Sequence, residues 1–171
     1  EPVPYNIALL KENTTKYKNI TIETSAVSEK NEIKKFYYVK HDAVKKLGKH
    51  WASGIGSFDK QHILNHKYKR FMVTDIDIEE IDVQYLTFSN LMEKYSVSSI
   101  DLLQIDVEGA EFKILNSINF EKIEIKKIIF EFKHFDGTFK EGPKIKLIKE
   151  KLIKFNYQLK EIDKENILAE K

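Results

Sequence analysis

The sequence predicts an α/β fold, and three stretches carry that expectation. Ser99 to Ser117, SIDLLQIDVEGAEFKILNS, opens with an apolar run of buried-strand length, turns through acids and Gly109, and continues at helical spacing. Ile125 to Phe132, IKKIIFEF, reads as a second β-rich run, and a helix start at Gly142-Pro143 follows it. Tyr157 to Ile162 and Ile167 to Ala169 flank the turn Asp163-Lys164-Glu165-Asn166 and read as a terminal hairpin.

Composition narrows the class. A chain of 171 residues suits one domain with a real core. With 42% hydrophobic and 33% charged residues it reads as globular, not disordered. A net charge of only +2, its lysines scattered among glutamates, argues against a dedicated nucleic-acid binder. The absence of cysteine excludes disulfides, thiolate catalysis and cysteine-held metal centres. No apolar run approaches the roughly 20 residues that span a bilayer. The cytoplasm is the default compartment.

The elements are expected in this order. Tyr5 to Lys16 forms a helix after Pro4, with Tyr5, Ala8 and Leu9 on its apolar face. Ile20 to Val27 alternates and reads as a strand. Ser28 to Glu32 is a polar turn, and Ile33 to Val39, IKKFYYV, is a further strand. His41 to His50 is helix-like or irregular. Trp51 to Asp59 holds Gly54 and Gly56 between aromatic residues; it reads as a mobile loop or as an ordinary connection with Trp51 in the core. His62 and His66 are four apart, but no HExxH pattern accompanies them. Arg70 to Ile78 alternates as a strand, which Val83 to Leu86 extends. Thr87 or Ser89 caps a helix carrying Leu91, Met92 and Tyr95. In the central stretch Val107, Ala110, Ile114, Leu115 and Ile118 make one apolar helix face. After Gly142, residues Ile145, Ile148, Leu152 and Phe155 recur at helical spacing.

The run IDLLQIDVEGAEFKIL resembles the signature of the FkbM-type methyltransferases, which use S-adenosylmethionine (SAM). That signature is an apolar strand, then Lys-hydrophobic-Asp-hydrophobic-Glu-Gly-Ala-Glu, then an apolar helix; Gln104 stands here where Lys is usual. The resemblance implies a single methyltransferase domain over residues 1–171 with a Rossmann-like class I sheet closed by a carboxyl-terminal antiparallel hairpin. It also implies that the first strand and its Gly-rich cofactor turn precede Glu1, since Gly54-Ile55-Gly56 is no substitute. In that frame Glu1, followed by Pro2, accepts hydrogen bonds from the cofactor ribose. Ser25 and Ala26, in Ser25-Ala26-Val27-Ser28, end the strand against which the adenine lies. Ser57 belongs to a segment that faces substrate or covers the cofactor.

The remaining implied roles cluster at strand ends. Asp106 orients the acceptor or stabilises the sulfonium region, and Glu108 and Glu111 do the same or face solvent. Glu131 and His134 end the fifth strand. His134 is the candidate base, because imidazole titrates near a pKa of about 6.5. Asp106 and His134 are therefore the catalytic candidates, Glu1, Ser25, Ala26 and Asp106 the cofactor ligands, and Ser57, Glu108 and Glu131 the substrate contacts. Three acids in six residues also suit Mg²⁺, but no metal ligand is assigned. The expected activity is O-methylation of a hydroxyl on a small-molecule or glycan acceptor. Two alternatives stand beside it: a non-catalytic remnant or interaction domain, and a metal-dependent phosphoryl-transfer or hydrolytic enzyme. The second lacks a phosphate-cradling Gly-Lys-Ser/Thr motif.

Overall fold

The computed structural model describes residues 1–48, 50–65, 72–107, 110–133, 135–136 and 142–171, with only the backbone of residues 47, 50 and 51. It is a mixed α/β structure that divides into two compact units: Glu1–Ala26 with Asn31–Tyr85, and Val27–Lys30 with Leu86–Lys171. The helices are α1 (Pro4–Thr14), α2 (His41–Leu47), α3 (Lys60–Asn65), α4 (Phe88–Lys94), α5 (Glu111–Ser117) and α6 (Pro143–Lys154). The strands are β1 (Ala26–Ser28), β2 (Glu32–Val39), β3 (Gly56–Ser57), β4 (Ile78–Thr87), β5 (Ser99–Ile105), β6 (Glu124–Glu131), β7 (Gln158–Glu161) and β8 (Asn166–Glu170). Among the described residues they form two four-stranded sheets, ordered β1-β4-β2-β3 and β5-β6-β8-β7.

In the first unit, β2 runs antiparallel to β4, with Phe36 opposite Ile81, and antiparallel to β3, with Tyr37 opposite Ser57. Successive side chains on a strand point to opposite faces, so β2 serves two cores. Phe36 and Tyr38 pack with Val83, Tyr85 and Val3. Val39 packs on the other side with Ala43, Ala52, Ile55, Ile63, Val73 and Ile78. Pro4 opens α1, where its missing N–H is harmless. No residue of α1 is buried, so the expected apolar face of Ala8 and Leu9 is not a core face; Leu9 is 49% exposed. Tyr5 instead reaches sideways. Its hydroxyl donates to the Val39 carbonyl at 2.9 Å and its ring stacks on His41.

Three expectations change here. The strand Ile20–Val27 shrinks to β1, because alternation without a partner strand leaves the ladder unmade. Of the expected strand Arg70–Ile78, Arg70 and Phe71 lie outside the described residues, Met72 to Asp77 are not strand, and β4 begins at Ile78. Thr74 and Asp77 exchange hydrogen bonds as a capping box around a 3₁₀ turn, Asp75–Asp77, which breaks the extended run. From Ile78 the chain then stays extended through Glu79 to Asp82, charged though it is, because those residues pair with Tyr38 to Lys35 of β2 and Lys35 meets both Glu80 and Asp82. The segment around Trp51 is also more regular than a mobile loop. A 3₁₀ turn, His50–Gly54, leads into β3, and a side chain at Gly56 would collide with the Phe36 ring.

In the second unit, Thr87 caps α4, its Oγ1 accepting from the Asn90 N–H at 3.2 Å. β5 and β6 are parallel, while β6–β8 and β8–β7 are antiparallel, the latter being the hairpin the sequence predicts. Ile125, Ile128 and Phe130 of β6 are fully buried in one core with Ile145, Ile148 and Leu152 of α6 and Ile114 and Leu115 of α5. Val107 is a correction: it precedes α5 and is 43% exposed, so the apolar helix face begins at Ala110.

Candidate active site

The parallel pairing of β5 and β6 fixes where their ends lie. Ile105 is opposite Phe130, so Asp106, the residue after β5, and Glu131, the last residue of β6, lie at one carboxyl rim. Ligands of open α/β sheets bind at such rims. Glu111, the first residue of α5, joins them. One carboxylate oxygen from each of Asp106, Glu111 and Glu131 lies within 4.8 Å of the others.

The three acids differ in environment. Asp106 is exposed, Glu131 is buried and Glu111 is completely buried. Glu111 accepts the Val107 N–H at 2.8 Å, a bond across the turn that leads into α5. Glu131 meets the Lys133 ammonium at 2.5 Å, and Lys133 also reaches Glu165 at 3.1 Å. Burial acts to lower the Lys133 pKa, but the hydrogen bonds to Glu131 and Glu165 outweigh it and the net shift is upward.

At this spacing two ionised carboxylates repel by on the order of 3 kcal/mol at an effective dielectric constant of 20. The three acids and Lys133 together carry a formal charge of −2 when ionised. Carboxylate oxygens grouped in this way can take a positive guest: an organic cation, or a hard divalent ion.

The other sequence candidates lie in the first unit. The Glu1 carboxylate accepts the Val3 N–H at 2.8 Å and the Asn6 side-chain amide at 3.3 Å, so it caps the entry to α1. The terminal amine of Glu1 donates to the Glu23 carbonyl at 3.1 Å, and the Ser25 N–H donates to the Glu23 carboxylate at 2.9 Å. Glu23 thus ties Glu1 to Ser25. Ala26 packs against the cluster of Val3, Phe36 and Tyr85. Ser57 stands apart on β3, where its hydroxyl accepts the Asp59 N–H at 3.1 Å. Glu108 and His134 lie outside the described residues, as does His66.

Two participants escape a reading of the sequence. Glu111 is legible as an acid but not as a buried one; the clue is its position four residues after Val107, within reach of that N–H. Lys133 has no local signal, since its second partner is 32 residues away. Among the described residues no helix is long and apolar enough to cross a membrane.

A family model described as the methyltransferase FkbM domain matches residues 1–163. No curated protein and no solved structure matches the chain.

Proposed function

This chain belongs to the FkbM methyltransferase domain family, and from that premise we propose that it moves a methyl group from SAM to a hydroxyl of a sugar or natural-product acceptor. The observation that carries the reading is the meeting of Asp106, Glu111 and Glu131 at the carboxyl rim of parallel β5 and β6. The strand order β5-β6-β8-β7, with its antiparallel end, supports treating this unit as part of a Rossmann-like sheet.

The donor set fits the cofactor at its sulfonium: a net-negative rim suits the positive sulfur. SAM, when bound, supplies a methyl group on a positively charged sulfur. The protein's task is to hold the acceptor oxygen in line with that methyl group and to remove its proton. Asp106, exposed at the rim, accepts the acceptor O–H and orients it. Glu131, at the rim, is the proposed substrate contact of this unit. His134, three residues beyond the end of β6 in the sequence, takes the proton. The cation Lys133 already sits on Glu131, so the reading assigns no metal.

Calorimetric titration with SAM tests this. The full-length protein is expected to bind, and Asp106→Asn to weaken binding by about tenfold, on the scale of one lost charge contact. Absence of SAM binding by the wild-type protein would overturn the assignment.

A further inference from the structure

The rim contains one described cation, and its setting is more constrained than that of an ordinary surface lysine. Lys133 follows β6, and its ammonium stands between Glu131 at 2.5 Å and Glu165 at 3.1 Å. Glu165 lies in the turn joining β7 to β8, and that turn is itself fastened. The Phe132 N–H donates to the Glu165 carbonyl at 2.9 Å. Asp163 Oδ1 accepts the N–H groups of Glu165 and Asn166, each at 2.8 Å. The side chains of Lys133 and Glu131 are only 22% and 8% exposed, so water and salt screen their pairing weakly.

Lys133 therefore acts as a strut between a fastened turn and a buried carboxylate. Without the strut, Glu131 keeps its other contacts but loses this counter-charge against two like charges within 4.8 Å, and that repulsion favours its turning away. We propose that Lys133 is a positioning residue of the methyl-donor site, fixing the Glu131 carboxylate on the rim so that an anionic seat faces the sulfonium of SAM. This rests on the SAM reading above. Two effects of the ammonium have opposite signs. Its own charge repels a cationic donor, whereas its hold on Glu131 keeps an attractive carboxylate in place. The proposal is that the second effect wins.

S-adenosylhomocysteine (SAH) is the control ligand, because it lacks the transferable methyl group and the positive sulfur. Calorimetric titrations with SAM and with SAH are to be compared for the wild-type protein, Lys133→Met, Lys133→Arg and Glu165→Gln. Lys133→Met is expected to lose about tenfold in SAM affinity with SAH affinity unchanged. Lys133→Arg, which keeps charge and reach, restores the preference. Glu165→Gln, at the strut's far end, lowers the SAM-to-SAH ratio in the same direction. A ratio in Lys133→Met that stays the same or rises overturns the proposal while leaving the SAM reading standing; a wild-type protein that binds neither ligand overturns both. If Lys133→Met lacks the wild-type circular dichroism spectrum, Glu165→Gln decides: a lowered ratio supports the strut and an unchanged one removes it.

Discussion

Two tyrosines of similar burial make opposite bargains with their hydroxyls. Tyr157 donates to the Ile125 carbonyl at 2.5 Å, a bond between chain segments that the sheet and α6 also join. Tyr85, 1% exposed, has a hydroxyl with no hydrogen-bond partner among the described residues. Burial, aided by the charge on Glu32, pushes its phenol pKa well above the ordinary value. A buried donor without a partner costs about 1–3 kcal/mol, whereas replacing it by an apolar group of the same shape is nearly neutral or stabilising. Tyr85→Phe is therefore expected to hold or raise the urea midpoint, and Tyr157→Phe to lower stability by about 1 kcal/mol; a clear loss in Tyr85→Phe would mean that the hydroxyl is satisfied. Asp77 gives a pH-dependent case. The Thr74 hydroxyl and then the Thr74 N–H, at 2.7 and 3.0 Å, hold its carboxyl below the ordinary carboxylate pKa. A carboxyl lowered by folding stabilises above its unfolded pKa, about 3.9, and loses that contribution as pH falls through the lowered folded value. Asp77→Asn should thus be less stable than wild type at pH 7, with the gap closing below about pH 3. Denaturation curves at both pH values check the sign.

At the scale of the element, α5 illustrates what a short helix needs. Its first residue, Glu111, anchors the preceding turn, and its other end is held from α6. The Lys151 ammonium donates to the carbonyls of Leu115, Asn116 and Ile118 at 3.1, 2.6 and 2.9 Å, and burial lowers its pKa. These carbonyls lie at and just beyond the end of the helix, where a cation also complements the helix dipole. Lys151→Met keeps most of the stem but removes the donors. The expected cost is about 1–3 kcal/mol, read as a lower urea midpoint with native circular dichroism. None of that clamp is visible in the sequence, although the helix it holds is. The strand–turn–helix of residues 99–117 is legible because its signals are local: an apolar run, acids and glycine, then helical periodicity. The same holds for Thr87 as a cap and for Gly142-Pro143 as a helix start. Where the reading failed, the deciding partner was distant or competed locally. Ile20 to Val27 alternates as well as β2 does but pairs only at its end, and Thr74 with Asp77 diverts an extended pattern into a turn. The candidate site divides the same way. Asp106 and Glu131 are legible as strand ends, but the burial of Glu111 and the bridge from Lys133 to Glu165 depend on contacts that periodicity does not encode.

For the molecule as a whole, the charge balance and the site point in opposite directions. The chain carries a net +2, yet the rim of Asp106, Glu111, Glu131 and Lys133 carries a formal −2 when ionised. A long-range field from a weakly positive protein gives no help to a cationic ligand, so any preference for charge has to come from the rim at short range. Asp106 is its exposed member and reaches solvent, where salt screens over about 10 Å at 0.1 M and about 3 Å at 1 M. The buried members are screened less. Affinity for SAM is therefore expected to fall only modestly, roughly threefold between 0.05 and 0.5 M NaCl. SAH, identical apart from the methyl group and its charge, should show almost no salt dependence across the same range. Measuring both by calorimetry separates electrostatic selection from general salt effects on nucleoside binding. If the two ligands weaken in parallel, the acids at the ends of β5 and β6 do not face the sulfur, and their close approach serves the turn into α5 instead.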